Sequence, residues 1–218
     1  MLRRGPRRRR RTALLFVTML LATACSADGA YDAATPDDTA AADVVLRADG
    51  LSVIDVGSMP AQVIAELTLR FGGPDRDSGW IEPASAVYGL CPGAEMRAVG
   101  WGSFFALFSG DGSGDESGRW LTWTYGFDHE VALGGVDPRD LDLRTAVGIG
   151  LGSTRTDLRS AYGDRLEETG DVAIDIWGFE IDPGSQERVR GTLSGPGPEA
   201  SVLFLERVPG CDDLEHGT

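Results

Sequence analysis

No lysine occurs anywhere in the 218-residue chain, and histidine and cysteine are scarce, at two and three residues. Each shortage removes a class of chemistry. Without lysine there is no phosphate-cradling Gly-x-x-x-x-Gly-Lys loop. With only His129 and His216, and with no His-Glu-x-x-His and no Cys-x-x-Cys, the common zinc patterns are absent. A Gly-x-Ser-x-Gly nucleophile elbow is also missing. The Gly/Asp-rich stretch Gly110–Gly118 lacks the ligand spacing and distal glutamate of an EF-hand, and reads as a hairpin loop. Neither a metal nor a cofactor is expected.

What is present is acid. The chain carries 34 Asp and Glu against 20 Arg, a net charge of −14. Seven of the arginines lie in residues 1–11, so removal of that segment would leave 13 arginines against 34 acids, or −21. This charge disfavours nucleic acid and bare anionic lipid as partners and favours solubility. A lysine-free chain rich in Ala, Gly, Asp and Arg also has the composition expected of a GC-rich genome such as an actinobacterium's.

The arginine cluster is followed by the apolar run Ala13–Ala22 and by Thr23-Ala24-Cys25. That run is too short for the ~20 residues of a bilayer-crossing helix and has the charged front and small-residue exit of a secretory signal peptide. A cysteine directly after Ala24 makes the segment resemble the lipobox of bacterial lipoproteins, which implies cleavage after residue 24, lipidation of Cys25 and an extracytoplasmic address on the outer face of the cell membrane. The sequence departs from that pattern at Ala22, where the family prefers leucine. The other reading is an ordinary signal peptide with Cys25 incidental. Residues 25–43 have almost no β-branched or aromatic content and read as a disordered tether, holding the folded part roughly 20–25 Å from the lipid.

If Cys25 carries lipid, Cys91 and Cys211 remain as an even pair in an oxidising compartment. Both sit at chain reversals, and a disulfide between them would close a loop of ~120 residues, worth about 4–5 kcal/mol in chain-entropy terms. Two free thiols are the alternative.

Two stretches share a pattern. Gly57-Ser58 leads to Phe71-Gly72, and Gly152-Ser153 leads to Tyr162-Gly163. Each reads as a helix stopped by glycine after an aromatic. Val63, Ile64, Leu67 and Phe71 form the apolar stripe of the first helix, after Pro60 at its start. In the second, Leu158, Ala161 and Tyr162 form the stripe and Thr154-x-x-Asp157 a capping box. Short β segments precede the first helix at 44–46 and 51–56. Strands are expected at 85–90, 95–101, 103–108 and 120–127, then at 172–179, 188–193 and 201–208. The expected fold is α+β: a tandem repeat of one helix followed by an antiparallel β-meander, with the helices on one face of the sheets. The expected divisions are a signal peptide at 1–24, the tether at 25–43, modules at 44–135 and 136–211, and a flexible tail at 212–218.

A Gly-Ser turn, an amphipathic helix closing on aromatic-Gly and a β-meander, in a lipoprotein, resemble the modules shared by the small outer-membrane assembly lipoproteins and β-lactamase inhibitory protein. The resemblance spans Gly50 to about Cys211 and implies a concave, aromatic-rich sheet face that binds a partner. This chain departs in having one helix per repeat and a lipid tether, so no inhibitory residue carries over.

The candidate binding face is the sheet surface opposite the helices, with Trp101, Trp120, Trp177 and Arg97 on it, because strict alternation puts each tryptophan in a row with polar or charged residues. The same tryptophans could instead cover a second, smaller core. The sequence thus points to a lipid-anchored, non-enzymatic binding or assembly module, a monomer, with an unknown protein or envelope ligand and the membrane as partners. The alternatives are an envelope hydrolase, which would need two carboxylates in one cleft, and a purely structural spacer.

Overall fold

Pro60 opens the first helix as expected, where its missing N–H costs nothing. The computed structural model describes residues 44–82, 95–113, 117–126, 141–171, 173, 175–185 and 188–209. In it α1 spans Pro60–Phe71, with the Gln62 side chain accepting from the Met59 N–H at 3.3 Å, and it buries Pro60, Val63, Leu67 and Phe71. The second helix, α2, spans Arg155–Tyr162. Its capping box is in place: Thr154 Oγ1 accepts from the Asp157 N–H, and Asp157 Oδ2 accepts from the Thr154 N–H at 2.8 Å. Neither helix, nor any other among the described residues, is long and apolar enough to cross a membrane.

The α+β tandem layout is not what forms. Among the described residues 46% lie in strands and 17% in helices, and the two helices accompany two sheets. The strands of both halves do not close into one sheet per module. β4 (Arg76–Asp77), β5 (Glu95–Trp101), β6 (Phe104–Gly110) and β7 (Arg119–Tyr125) join β9 (Leu166–Asp171), β10 (Ile176–Ile181), β11 (Arg188–Leu193) and β12 (Val202–Val208) in one antiparallel sheet of eight strands. Its order is β4-β5-β6-β7-β12-β11-β10-β9, so β7 and β12 meet at its centre. A second sheet, absent from the expected layout, has β1 (Val45–Arg47), β2 (Gly50–Leu51), β3 (Ile54–Asp55) and β8 (Arg144–Thr145), the last pairing in parallel with β1. This pairing ties the second half of the chain to the first. All described residues fall in a single compact unit.

Both helices and the small sheet cover one face of the large sheet. Val63, Leu67 and Phe71 from α1 share a cluster with Leu158 and Tyr162 from α2, with Leu46 and Leu51, and with the inward residues of β5 to β7 and β10 to β12. Phe71 meets Trp101 and Phe104 edge-on, with ring centroids 6.4 and 6.1 Å apart. Each such side chain taken fully out of water contributes about 1.5–3 kcal/mol.

The central joint has few backbone pairs of its own. β7 and β12 are in register only at Leu205 with Tyr125 and Glu206 with Thr124. Side chains supply the rest. Arg207, 4% exposed, donates from Nη1 to the Leu121 carbonyl and from Nε to the Ala48 carbonyl, both at 2.8 Å. Trp123 Nε1 donates to the Arg47 carbonyl at 3.0 Å, and the Leu143 N–H donates to the Tyr125 hydroxyl at 3.2 Å. One guanidinium therefore links β12, β7 and the turn between β1 and β2. Replacing Arg207 by Met would leave carbonyls without their donor in a dry joint. We expect a loss of about 2–4 kcal/mol in urea unfolding; a loss below about 0.5 kcal/mol would show that the joint does not depend on the guanidinium.

Candidate functional site

The tryptophans assigned to an open face are not on one. Trp101 and Trp120 are 0% exposed and belong to the helix-side core. Each indole N–H is satisfied by a backbone carbonyl, Gly72 for Trp101 at 3.0 Å and Thr122 for Trp120 at 2.8 Å. Trp101 keeps its alternation with Arg97 and Val99, but that row faces the helices; for Trp120 the reason is a β-bulge. Register shifts between Leu107 and Phe108, so Trp120 faces Phe108 while Trp123 faces Ala106, and both point to the helix side. Strict alternation had put them on opposite faces. Trp177 is half-buried against the same core, its ring stacked over Gly170 and 5.7 Å from the Arg155 guanidinium, its N–H on Asp175. Arg97 lies on the helix side near the edge of the sheet and pairs with Asp77 at 2.6 Å. Cys25, Cys91, Cys211, both histidines and the expected strand at 85–90 lie outside the described residues, as do the signal peptide and tether.

The helix-free face has two unlike halves. In the first half Met96, Ala98, Phe105 and Leu107 form a second buried cluster, each 3% exposed or less. Thr122 and Thr124 beside them are also buried. In the second half this side of the sheet is accessible, and register defines its rows. Thr169, Gly178, Thr192 and Phe204 pair in sequence across β9, β10, β11 and β12. In the middle of that row Gly178 has no side chain, and a Cβ there would meet Thr169 Oγ1 at 2.9 Å. Thr169 therefore leans over Gly178 within the row. On one side of it Ile176, 55% exposed, and Leu203, 51% exposed, project into solvent; Leu203 is the additional residue of a bulge at Thr192/Leu193. On the other side a charged row runs Glu167, Glu180, Arg190, Glu206. Arg190 is hydrogen-bonded to Glu206.

A separate cleft of about 310 Å³ opens between β1, β8 and the ends of α2, β10 and β11. Its floor includes Leu46, Ile181 and Val189, and its rim carries the pairs Arg47–Asp49 and Arg165–Asp182. Tyr162 donates from its hydroxyl to Thr145 Oγ1 at 2.9 Å, and burial pushes its pKa up. A carboxylate pair for hydrolysis needs one acid held protonated. Here Arg47 holds Asp49, and Arg165 holds Asp182, below the usual carboxylate range through charge-assisted hydrogen bonds. Their side chains are 39% and 35% exposed. In the Gly/Asp loop, hydrogen bonds from Ser117 and Ser113 lower Asp111 to about 2. No group of three or more metal-ligating side chains occurs among the described residues.

No protein-family model, no protein of curated function and no solved structure matches this chain.

Two predictions follow from the placement of these side chains. Trp101→Ala and Trp120→Ala should each lower unfolding stability by about 3–5 kcal/mol, as large-to-small changes in a packed core do; near-native stability of either variant in urea titration would contradict core placement. Asp49, Asp77, Asp182 and Glu168, held by Arg47, Arg97, Arg165 and Arg159 respectively, all have pKa values lowered on folding. A group that binds its proton less tightly when folded stabilises the fold fully above its unfolded pKa, and that stabilisation is lost as pH falls through the folded value. The urea midpoint should therefore be flat from pH 7 to about 5 and decline below about pH 4, less steeply in Asp182→Asn. An unchanged midpoint down to pH 3 would contradict this.

Proposed function

We propose that the protein is a non-enzymatic binding or assembly module of the cell envelope, held to the outer face of the membrane by lipid on Cys25. It offers the free half of its large sheet to a protein or envelope ligand. One observation carries this reading. The helix-free side of the sheet is buried over the first half, while over β9 to β12 it is accessible and exposes Ile176 and Leu203. Clustered exposed apolar side chains rimmed by polar ones are characteristic of interaction surfaces. A sheet face gives them a rigid frame, so binding need not order a loop. The tether of 25–43 would let this face reach away from the lipid.

The test has two arms. Palmitate labelling in cells should tag the protein, and Cys25→Ala should abolish the label and release the chain to the medium; retained labelling in that variant contradicts the anchor. A photo-crosslinking residue at Thr192, on the free face, should give a discrete adduct in intact cells, whereas one at Arg159, on α2, should give none. Equal adducts from both positions, or none from Thr192, contradict the face.

A further inference from the structure

Charge on the free face is unevenly matched. Glu167 and Glu180 occupy directly paired positions on β9 and β10. Like charges directly opposed across strands destabilise a sheet. The adjacent cation cannot relieve both, because Arg190, paired in register with Glu180, is hydrogen-bonded to Glu206 on its other side. The remaining charged groups on this side of β9 to β12 are Asp171, beside Ile176, and Arg188, paired with Val208 at the far end of β11. Four carboxylates thus stand against two guanidinium groups, and Glu167 and Glu180 are paired in register next to the Thr169–Gly178–Thr192 row.

We infer that this face takes a protein segment bearing arginine or lysine next to an apolar side chain, the cation seated between Glu167 and Glu180 and the apolar group against Ile176 and Leu203. The inference rests on the reading of the free face as a binding surface and specifies its partner. A cation placed between two opposed carboxylates gains from both and removes their mutual repulsion, which gives the site a preference for positive charge at little reorganisation. Anionic partners are opposed by the local carboxylates and by the chain's net charge of −14. A second copy carries the same net negative charge, so self-association through this face is disfavoured.

The probe is a fluorescein-labelled peptide, acetyl-Leu-Arg-Leu-Arg-Leu-amide, titrated by anisotropy against the full-length protein in neutral detergent, with the Leu-Glu counterpart as control. The arginine peptide should bind saturably and the glutamate peptide should not. Glu167→Gln with Glu180→Gln should weaken binding about five- to tenfold, and Ile176→Ser should weaken it further. Glu66→Gln, on α1, also removes a negative charge and should leave affinity unchanged. Equal weakening by Glu66→Gln would mean attraction by net charge alone, and would overturn the proposal, as would arginine-peptide binding unaffected by the Glu167/Glu180 double variant. The adduct from Thr192 in cells separates the two levels. An adduct mapped to a segment without arginine or lysine leaves the binding face standing and overturns this partner class. Absence of any adduct overturns the face itself.

Discussion

The structure depends on a guanidinium placed where the backbone ladder at the centre of the large sheet is short. Across the large sheet β6 with β7, β11 with β12 and β9 with β10 each align over six pairs, but β7 with β12 over two. That short ladder is the joint between the halves. Burying Arg207 there carries a desolvation cost that no carbonyl pair fully offsets by itself. Its position makes the cost worthwhile, since one planar side chain reaches the Leu121 carbonyl on β7 and the Ala48 carbonyl in the small sheet at once. Trp123 and Tyr125 extend the same connection to Arg47 and Leu143. The two halves are thereby one body, and the small sheet is fixed against their seam.

Given that seam, the sheet must keep large rings within a thin layer, and it does so by pairing them with glycine. Phe105 faces Gly100, Phe179 faces Gly191 and Trp177 faces Gly170 in register. A Cβ at any of these glycines would overlap the facing ring. The rings can therefore lie flat across the neighbouring strand, which offsets the packing a strand glycine forfeits. Gly178 differs: no ring covers it, and its row stays open to solvent.

Much of the local structure was legible. The strands at Glu95–Trp101 and Arg188–Leu193 have the bounds expected from alternation, and the Thr154–Asp157 box starts its helix. The stripe of Val63, Leu67 and Phe71 is the buried side of α1. What failed is physically distinct. Leu166–Asp171 is an edge strand with polar residues on both faces, so it has no apolar period to detect. The alternation of 172–176 suggested a strand start, but Asp175 has a left-handed φ of 53° and Ile176 is exposed, because the hairpin turns there. Strands of two residues carry no periodicity at all. The candidate face failed for two reasons: a single bulge reverses the side on which Trp120 falls, and the rows of Trp101 and Trp177, though alternating as expected, face the helices. Glu167 opposite Glu180 could be found only once register was known, since they lie in segments whose pairing the sequence does not state.

The functional account therefore rests on an asymmetry of one sheet face, covered over β5 and β6 and open over β9 to β12. A binding module needs such a division, with one half giving rigidity and the other contact area. Hydroxyl-radical footprinting of the native protein measures it directly. Ile176 and Leu203 should be modified rapidly, and Met96, Phe105 and Leu107 should be protected until the protein unfolds. Comparable modification of the two groups in the native state, after correction for intrinsic reactivity, would contradict the account.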